Sequence, residues 1–152
     1  MLSTTNEAVQ KEIDQIKSIL KVDFVGMALA TMQPSAKKEI RWRYVSGNLS
    51  QRYQKIVLQV GHGFAGIVWR TGRRLLEDHL ENKTATELLA YPIAIAEELN
   101  SVVVEPIFYK DEVVAVLLVG YREANQLRDT LLNKLNDCTS GLAALVAEQV
   151  VN

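Results

Sequence analysis

Cysteine is nearly absent: Cys138 is the only one in 152 residues. It cannot close an internal disulfide, and no zinc-type spacing exists, so a thiol-reducing compartment, the cytoplasm, is expected. An excess of either charge is also missing. Lys and Arg number 17 and Asp and Glu 18, for a net charge of −1. This gives no basic footprint for nucleic acid and no acidic solvated arm. Long apolar runs are lacking, since the stretch from Val113 to Gly120 is far too short to cross a bilayer. The opening MLSTTNEAVQKEI has no charged start followed by an apolar run, so neither membrane insertion nor secretion is expected. The sequon Asn82-Lys83-Thr84 is then chemically idle. The two histidines, His62 and His79, stand apart, and no nucleophile–base pair or metal cluster accompanies them, so an enzyme is not expected.

What is present suits one folded domain spanning 1–152. The apolar fraction is 48% and the charged fraction 23%, enough for a sizeable core. No repeat, low-complexity tract or second domain is visible. Val9, Ile13, Ile16 and Leu20 recur at helical spacing, with Lys11, Glu12 and Lys17 turned outward. A strand is expected from about Val22 to Thr31, followed by a break at Gln33-Pro34-Ser35. From Glu39 to Ser46 the alternation puts Ile40, Trp42 and Tyr44 on one inward face, and Arg41 and Arg43 on the other. Residues 49–60 read as a short helix or a loop. A short strand is expected at Arg73–Glu77, with one of Arg73 and Arg74 facing water. Residues 79–99 read as a variable connection, helical around Ala85–Leu89 and interrupted by Tyr91-Pro92. Strands at Ser101–Tyr109 and Glu112–Tyr121 flank a hairpin turn at Lys110-Asp111. The second is apolar on both faces, as at the centre of a covered sheet. A final helix from Asn125 to Val150 carries Leu127, Leu131, Leu135, Cys138, Leu142 and Leu145 on one side. The order of elements predicts an α+β fold with an antiparallel-rich sheet.

The most informative stretch is VGHGFAGIVWRTGRRLLED, from Val60 to Asp78. Two glycines flank His62, a helix starts at about Gly63, and Gly72 is placed to stop it. A helix start leaves backbone N–H groups without intrahelical acceptors, and its partial positive charge suits a small anion. The same glycines also serve a tight, closely packed turn.

The Gly61-x-Gly63-x-Ala65-Gly66 turn, the Thr71-Gly72-Arg73 step, Asp78, the paired strands 101–109 and 112–121 and the two terminal helices together resemble a GAF domain over essentially the whole length. The resemblance implies a GAF-like antiparallel sheet flanked by N- and C-terminal helices. Trp42, Phe64-Ala65 after the turn, and Tyr91-Pro92-Ile93 are similar, more narrowly, to the stand-alone nitrate-receptor GAF proteins of bacterial nitrate respiration. That likeness implies nitrate as ligand, with no further cofactor. It places backbone groups at Phe64, Ala65 and Ile93 on the ligand together with Trp42, with Gly66, Tyr91 and Pro92 completing the candidate site. It also implies a sensor histidine kinase as partner, inhibited by the nitrate-free form. Terminal helices of GAF domains can pair two chains, so a homodimer is a further expectation.

Other GAF branches fit less well. Free methionine sulfoxide reductases depend on several cysteines, and the Asn-Lys-Phe-Asp-Glu motif of the cyclic-nucleotide branch is absent. A bilin or haem would need a cysteine or histidine in the pocket. Nitrate is planar and singly charged, with three acceptor oxygens and no proton to give. Helix-start N–H groups and the Trp42 indole, a donor without acceptor capacity, match it. Phe64 and Ile93 supply apolar walls. Three or four charge-assisted hydrogen bonds of about 1.5–3 kcal/mol each can offset desolvation of a weakly hydrated ion. Micromolar or weaker binding is the expectation, about −8 kcal/mol or less favourable. Two alternatives stand beside this reading: a ligand-free interaction or dimerisation module, in which Trp42 is a core aromatic, and a GAF sensor of another small ligand.

Overall fold

The computed structural model describes residues 2–32 and 37–151. Five strands form the sheet: β1 (Phe24–Met32), β2 (Lys38–Ser46), β3 (Leu75–Glu77), β4 (Ser101–Tyr109) and β5 (Glu112–Tyr121). Their spatial order is β2-β1-β5-β4-β3, and every neighbouring pair is antiparallel. Helices α1 (Leu2–Leu20) and α5 (Asp129–Val151) cover one face. The other is covered by α2 (Gly63–Thr71), α3 (Ala85–Leu88) and α4 (Pro92–Glu97), with 3-10 turns at Arg52–Lys55 and Leu80–Asn82. This is the expected α+β architecture. The break expected at Gln33-Pro34-Ser35 lies outside the described residues. Among the described residues no helix is long and apolar enough to cross a membrane.

The period-2 alternation of the strands builds two cores. In β1, Val25, Met27 and Leu29 face α1 and α5, while Phe24 and Ala28 face the α2–α4 layer. β5 sits in the middle of the sheet and sends Ala115, Leu117 and Val119 one way and Val116 and Leu118 the other. Its two-faced apolar sequence follows from that position. Lys110 and Asp111 both take left-handed backbone angles, with φ of 51° and 65°, as a two-residue hairpin turn requires. The α1 stripe of Val9, Ile13, Ile16 and Leu20 is spent inside the chain's own core. It is therefore not available to pair two chains.

Two expectations need correction. Tyr44 does not share a face with Ile40 and Trp42. Met27 pairs with Tyr44 while Ala28 pairs with Trp42, so a β-bulge leaves Arg43 over and reverses the alternation beyond it. Trp42 and Ile40 enter the α2–α4 core, whereas Tyr44 enters the opposite one and donates its hydroxyl to Asn6 Oδ1 at 2.7 Å. Nor is Tyr91-Pro92 an interruption in an irregular segment. Pro92 is the first residue of α4, where its missing N–H costs nothing, and α3 before it starts with a Thr84–Glu87 capping box. The undecided segment 49–60 contains the short 3-10 turn, and then Leu58, which pairs with Ile40 by two backbone hydrogen bonds of 2.8 and 2.9 Å.

Glu97, the last residue of α4, is 0% exposed. Its Oε1 accepts the Leu49 N–H at 2.8 Å and the Arg122 guanidinium at 3.0 Å. Arg122 also donates to the Glu97 carbonyl at 3.0 Å and to the Gly47 carbonyl at 3.1 Å, while its own N–H donates to Asp23 at 2.9 Å. The clamp ties α4 to the 47–49 loop and to the ends of β1 and β5. Burial pushes the Glu97 carboxyl above its ordinary value of 4.5, against the pull of the Leu49 amide and Arg122. The folded state then holds this proton more tightly than the unfolded one. Its stabilising contribution is present below about pH 4.5 and is lost as pH rises through the folded pKa. Urea titrations of wild type and Glu97→Gln should show the stability difference moving in favour of wild type as the pH is lowered towards about 4. A difference that does not change with pH would contradict this account.

Candidate anion-binding site

The start of α2 is set by its approach. His62, exposed and extended, precedes the helix, and Gly63 takes a φ of 67°, where a Cβ would come within 2.8 Å of the Leu58 side chain. In a helix beginning at Gly63, the N–H groups of Gly63, Phe64 and Ala65 lie ahead of the first intrahelical bond. Gly66 is the first residue whose N–H the helix itself can satisfy. Its role is close packing: a Cβ there would lie 2.3 Å from the Gln59 carbonyl oxygen, and its own carbonyl accepts the Gly61 N–H at 2.8 Å. Gly72 ends the helix in the left-handed conformation with φ 65°, as its place in the sequence implied.

Trp42, Phe64, Ala65 and Ile93 come together in one buried cluster. Trp42 is 3% exposed, seated over β1 where Gly26 carries no side chain; a Cβ there would be 3.1 Å from the indole. The Trp42 Nε1 atom is buried and has no hydrogen-bond partner. Buried donors without partners are rare and cost about 1–3 kcal/mol. Tyr91, at the N-cap of α4, stacks on Phe64 with ring centroids 4.3 Å apart and planes at 15°. Pro92 then begins α4 and places Ile93 in the cluster. On the outer side of the stack is a surface hollow of about 290 Å³. It is lined by Gly61, His62 and Gly63 on one side and by Leu89, Tyr91 and Pro92 on the other. Trp42, Ala65 and Ile93 do not reach it.

The remaining polar groups lie away from this cluster. The Asp78 carboxylate accepts the Ser101 hydroxyl at 2.8 Å and the Gln126 N–H at 2.9 Å. Burial pushes its pKa up, but these hydrogen bonds together with the Leu127 amide win, and it lies below the ordinary carboxylate value. Asp78 thus fastens the link between β5 and α5. Arg74 pairs with Glu105 and Asn136, and Arg73 is exposed. Cys138 packs beside the α1–α5 core, across the sheet from Trp42, and burial pushes its thiol pKa up. His79 pairs with Glu81 at 3.0 Å on the surface. Sequence reasoning missed Glu97 and Lys83, whose ammonium lies 5.8 Å from the Tyr91 ring centroid. Reading Pro92 as a first helical residue would have found Glu97, one turn beyond Ile93 on the same buried face.

No protein-family model and no curated protein sequence matches the chain. Solved structures do. A mutated NreA protein from Staphylococcus aureus, described as altered in its nitrate-binding site, is 32% identical over 85% of this chain and 94% of its own, with a TM-score of 0.80. Two others share the fold alone. The GAF domain of an Acinetobacter phosphoenolpyruvate-protein phosphotransferase is 16% identical over 97% of this chain and 84% of its own, with a TM-score of 0.73. A type II free methionine-R-sulfoxide reductase from Thermoplasma acidophilum is 15% identical over 95% and 96%, with a TM-score of 0.71. The five-stranded antiparallel sheet between two helical layers is that of a GAF domain. Within that class, the chain belongs to the family of GAF proteins represented by S. aureus NreA.

The tight seat of Gly66 can be tested directly. Gly66→Ala should lose about 1–3 kcal/mol in urea denaturation, because the obstacle to its Cβ is backbone rather than a flexible side chain. Wild-type stability in that variant would contradict the packing described here.

Proposed function

We propose that this protein is a nitrate receptor that carries the state of its pocket to a sensor histidine kinase. One observation supports it above the rest: the Trp42 N–H is buried without an acceptor, in a hydrocarbon cluster shared with the start of α2 and with Ile93. An anion placed between them would receive the indole N–H and helix-start N–H groups of the Phe64–Ala65 step. Among the described residues no lysine or arginine is buried. Neutral donors with apolar walls favour an ion of low charge and weak hydration over sulfate or phosphate, whose desolvation is far more costly. The likeness to NreA, described with a nitrate-binding site, points to the same ion.

For signalling, the ligand must favour one surface state over another, since equal affinity for both shifts nothing. The α3–α4 segment, through Leu89, Tyr91 and Pro92, forms one side of the hollow outside the Tyr91–Phe64 stack. We assign to it the contact that changes when nitrate binds, with the nitrate-free form restraining the kinase.

Calorimetry of the purified protein should give a nitrate Kd in the micromolar range or weaker, about −8 kcal/mol at most, and no heat of binding with sulfate. Trp42→Phe keeps an aromatic ring, though a smaller one, and deletes the donor. It should weaken nitrate binding by about 1.5–3 kcal/mol, or roughly 10- to 150-fold, while leaving the ligand-free fold intact. A wild type silent at millimolar nitrate, or a variant that binds as well as wild type, would refute the assignment.

A further inference from the structure

We propose that the hollow outside the Tyr91–Phe64 stack is the entrance to the anion site, and that the Tyr91 ring is its door. The inference rests on the receptor reading above. Phe64, Ala65 and Ile93 are each 2% exposed or less, and the Trp42 Nε1 atom is sealed from solvent. An ion can therefore reach that donor only when a side chain moves. Phe64 is locked inside α2 and Ile93 inside α4. Tyr91 differs. It is half-buried, with one side of its surroundings the hollow and the other the Phe64 ring. Its backbone is fixed, with its N–H on the Leu88 carbonyl at 2.8 Å and its carbonyl taking the Ala94 N–H at 3.0 Å. The ring can turn between staggered side-chain positions while the entry to α4 stays in place.

Cations flank the approach. The Arg70 guanidinium lies over Gly61, with Nη1 3.0 Å from where a Cβ would be. Lys83 stands over the outer side of the door at 5.8 Å, and it also faces Glu77 at 3.8 Å. Among the described residues no carboxylate is paired with Arg70. The field of such cations raises the local anion concentration and the arrival rate, and salt weakens it. Among the described residues neither lysine nor arginine is buried, so these cations act on arrival and not on the final grip.

Stopped-flow mixing with nitrate, followed by tryptophan fluorescence, separates the parts. Tyr91→Ala removes the door, so association and dissociation should both accelerate by about tenfold or more, with Kd changing much less than either rate. Tyr91→Phe keeps the stack and should retain slow exchange, which separates the ring from its hydroxyl and guards against a folding defect in the alanine variant. Arg70→Gln should lower the association rate about twofold, flatten its dependence on salt and leave dissociation unchanged. Nitrate binding with rates unaltered in Tyr91→Ala, or a change in Kd carried by only one rate, would overturn the door alone. No nitrate response in wild type would remove the receptor reading, and the door with it.

Discussion

The indole N–H of Trp42 is a strong donor held among hydrocarbon side chains with nothing to accept it, in the same buried cluster as the start of α2 and Ile93 of α4. Leaving it unpaired costs about 1–3 kcal/mol. The fold tolerates the cost because the same ring fills volume against β1, where Gly26 makes room for it. The ring packs, and the single polar atom it carries is left without a partner.

The sheet separates the cluster that holds Trp42 from a second core. Alternation along β1 and β5 sends one set of side chains to α1 and α5 and another to α2 and α4. On the α1–α5 side are the long helices, the Tyr44–Asn6 hydrogen bond and Cys138. On the other are short helices with tightly specified ends: a glycine approach into α2, a capping box on α3 and a proline start on α4. Short helices are stabilised mainly by their caps and by what they pack against. Their positions therefore depend on a few residues.

Much of this was legible in the sequence, and what was not has physical reasons. β4 and β5 read cleanly because hairpin strands of this length announce themselves by apolar runs around a polar two-residue turn. α2 read cleanly because glycines mark both its ends. The face of Tyr44 did not, since a bulge depends on pairing with β1 and leaves no mark on the alternation of β2 itself. α4 was missed because a proline reads first as a breaker, and six residues give little periodicity to outweigh that. Of the candidate site, Trp42, Phe64, Ala65 and Ile93 are named through the family resemblance, and they share one buried cluster. The Tyr91–Phe64 stack, the buried Glu97 and the place of Lys83 arise only when distant segments meet.

The pairing of Leu58 with Ile40 has a consequence beyond the site. β2 lies at the margin of the sheet, and an open strand margin invites other chains to add to it. Leu58 occupies part of that margin, and it belongs to the segment that turns through Gly61 and Gly63 into α2. The loop that shapes the helix start is thus also a guard rail against self-association. Changes that loosen it for the sake of a roomier pocket would be felt first as lost solubility.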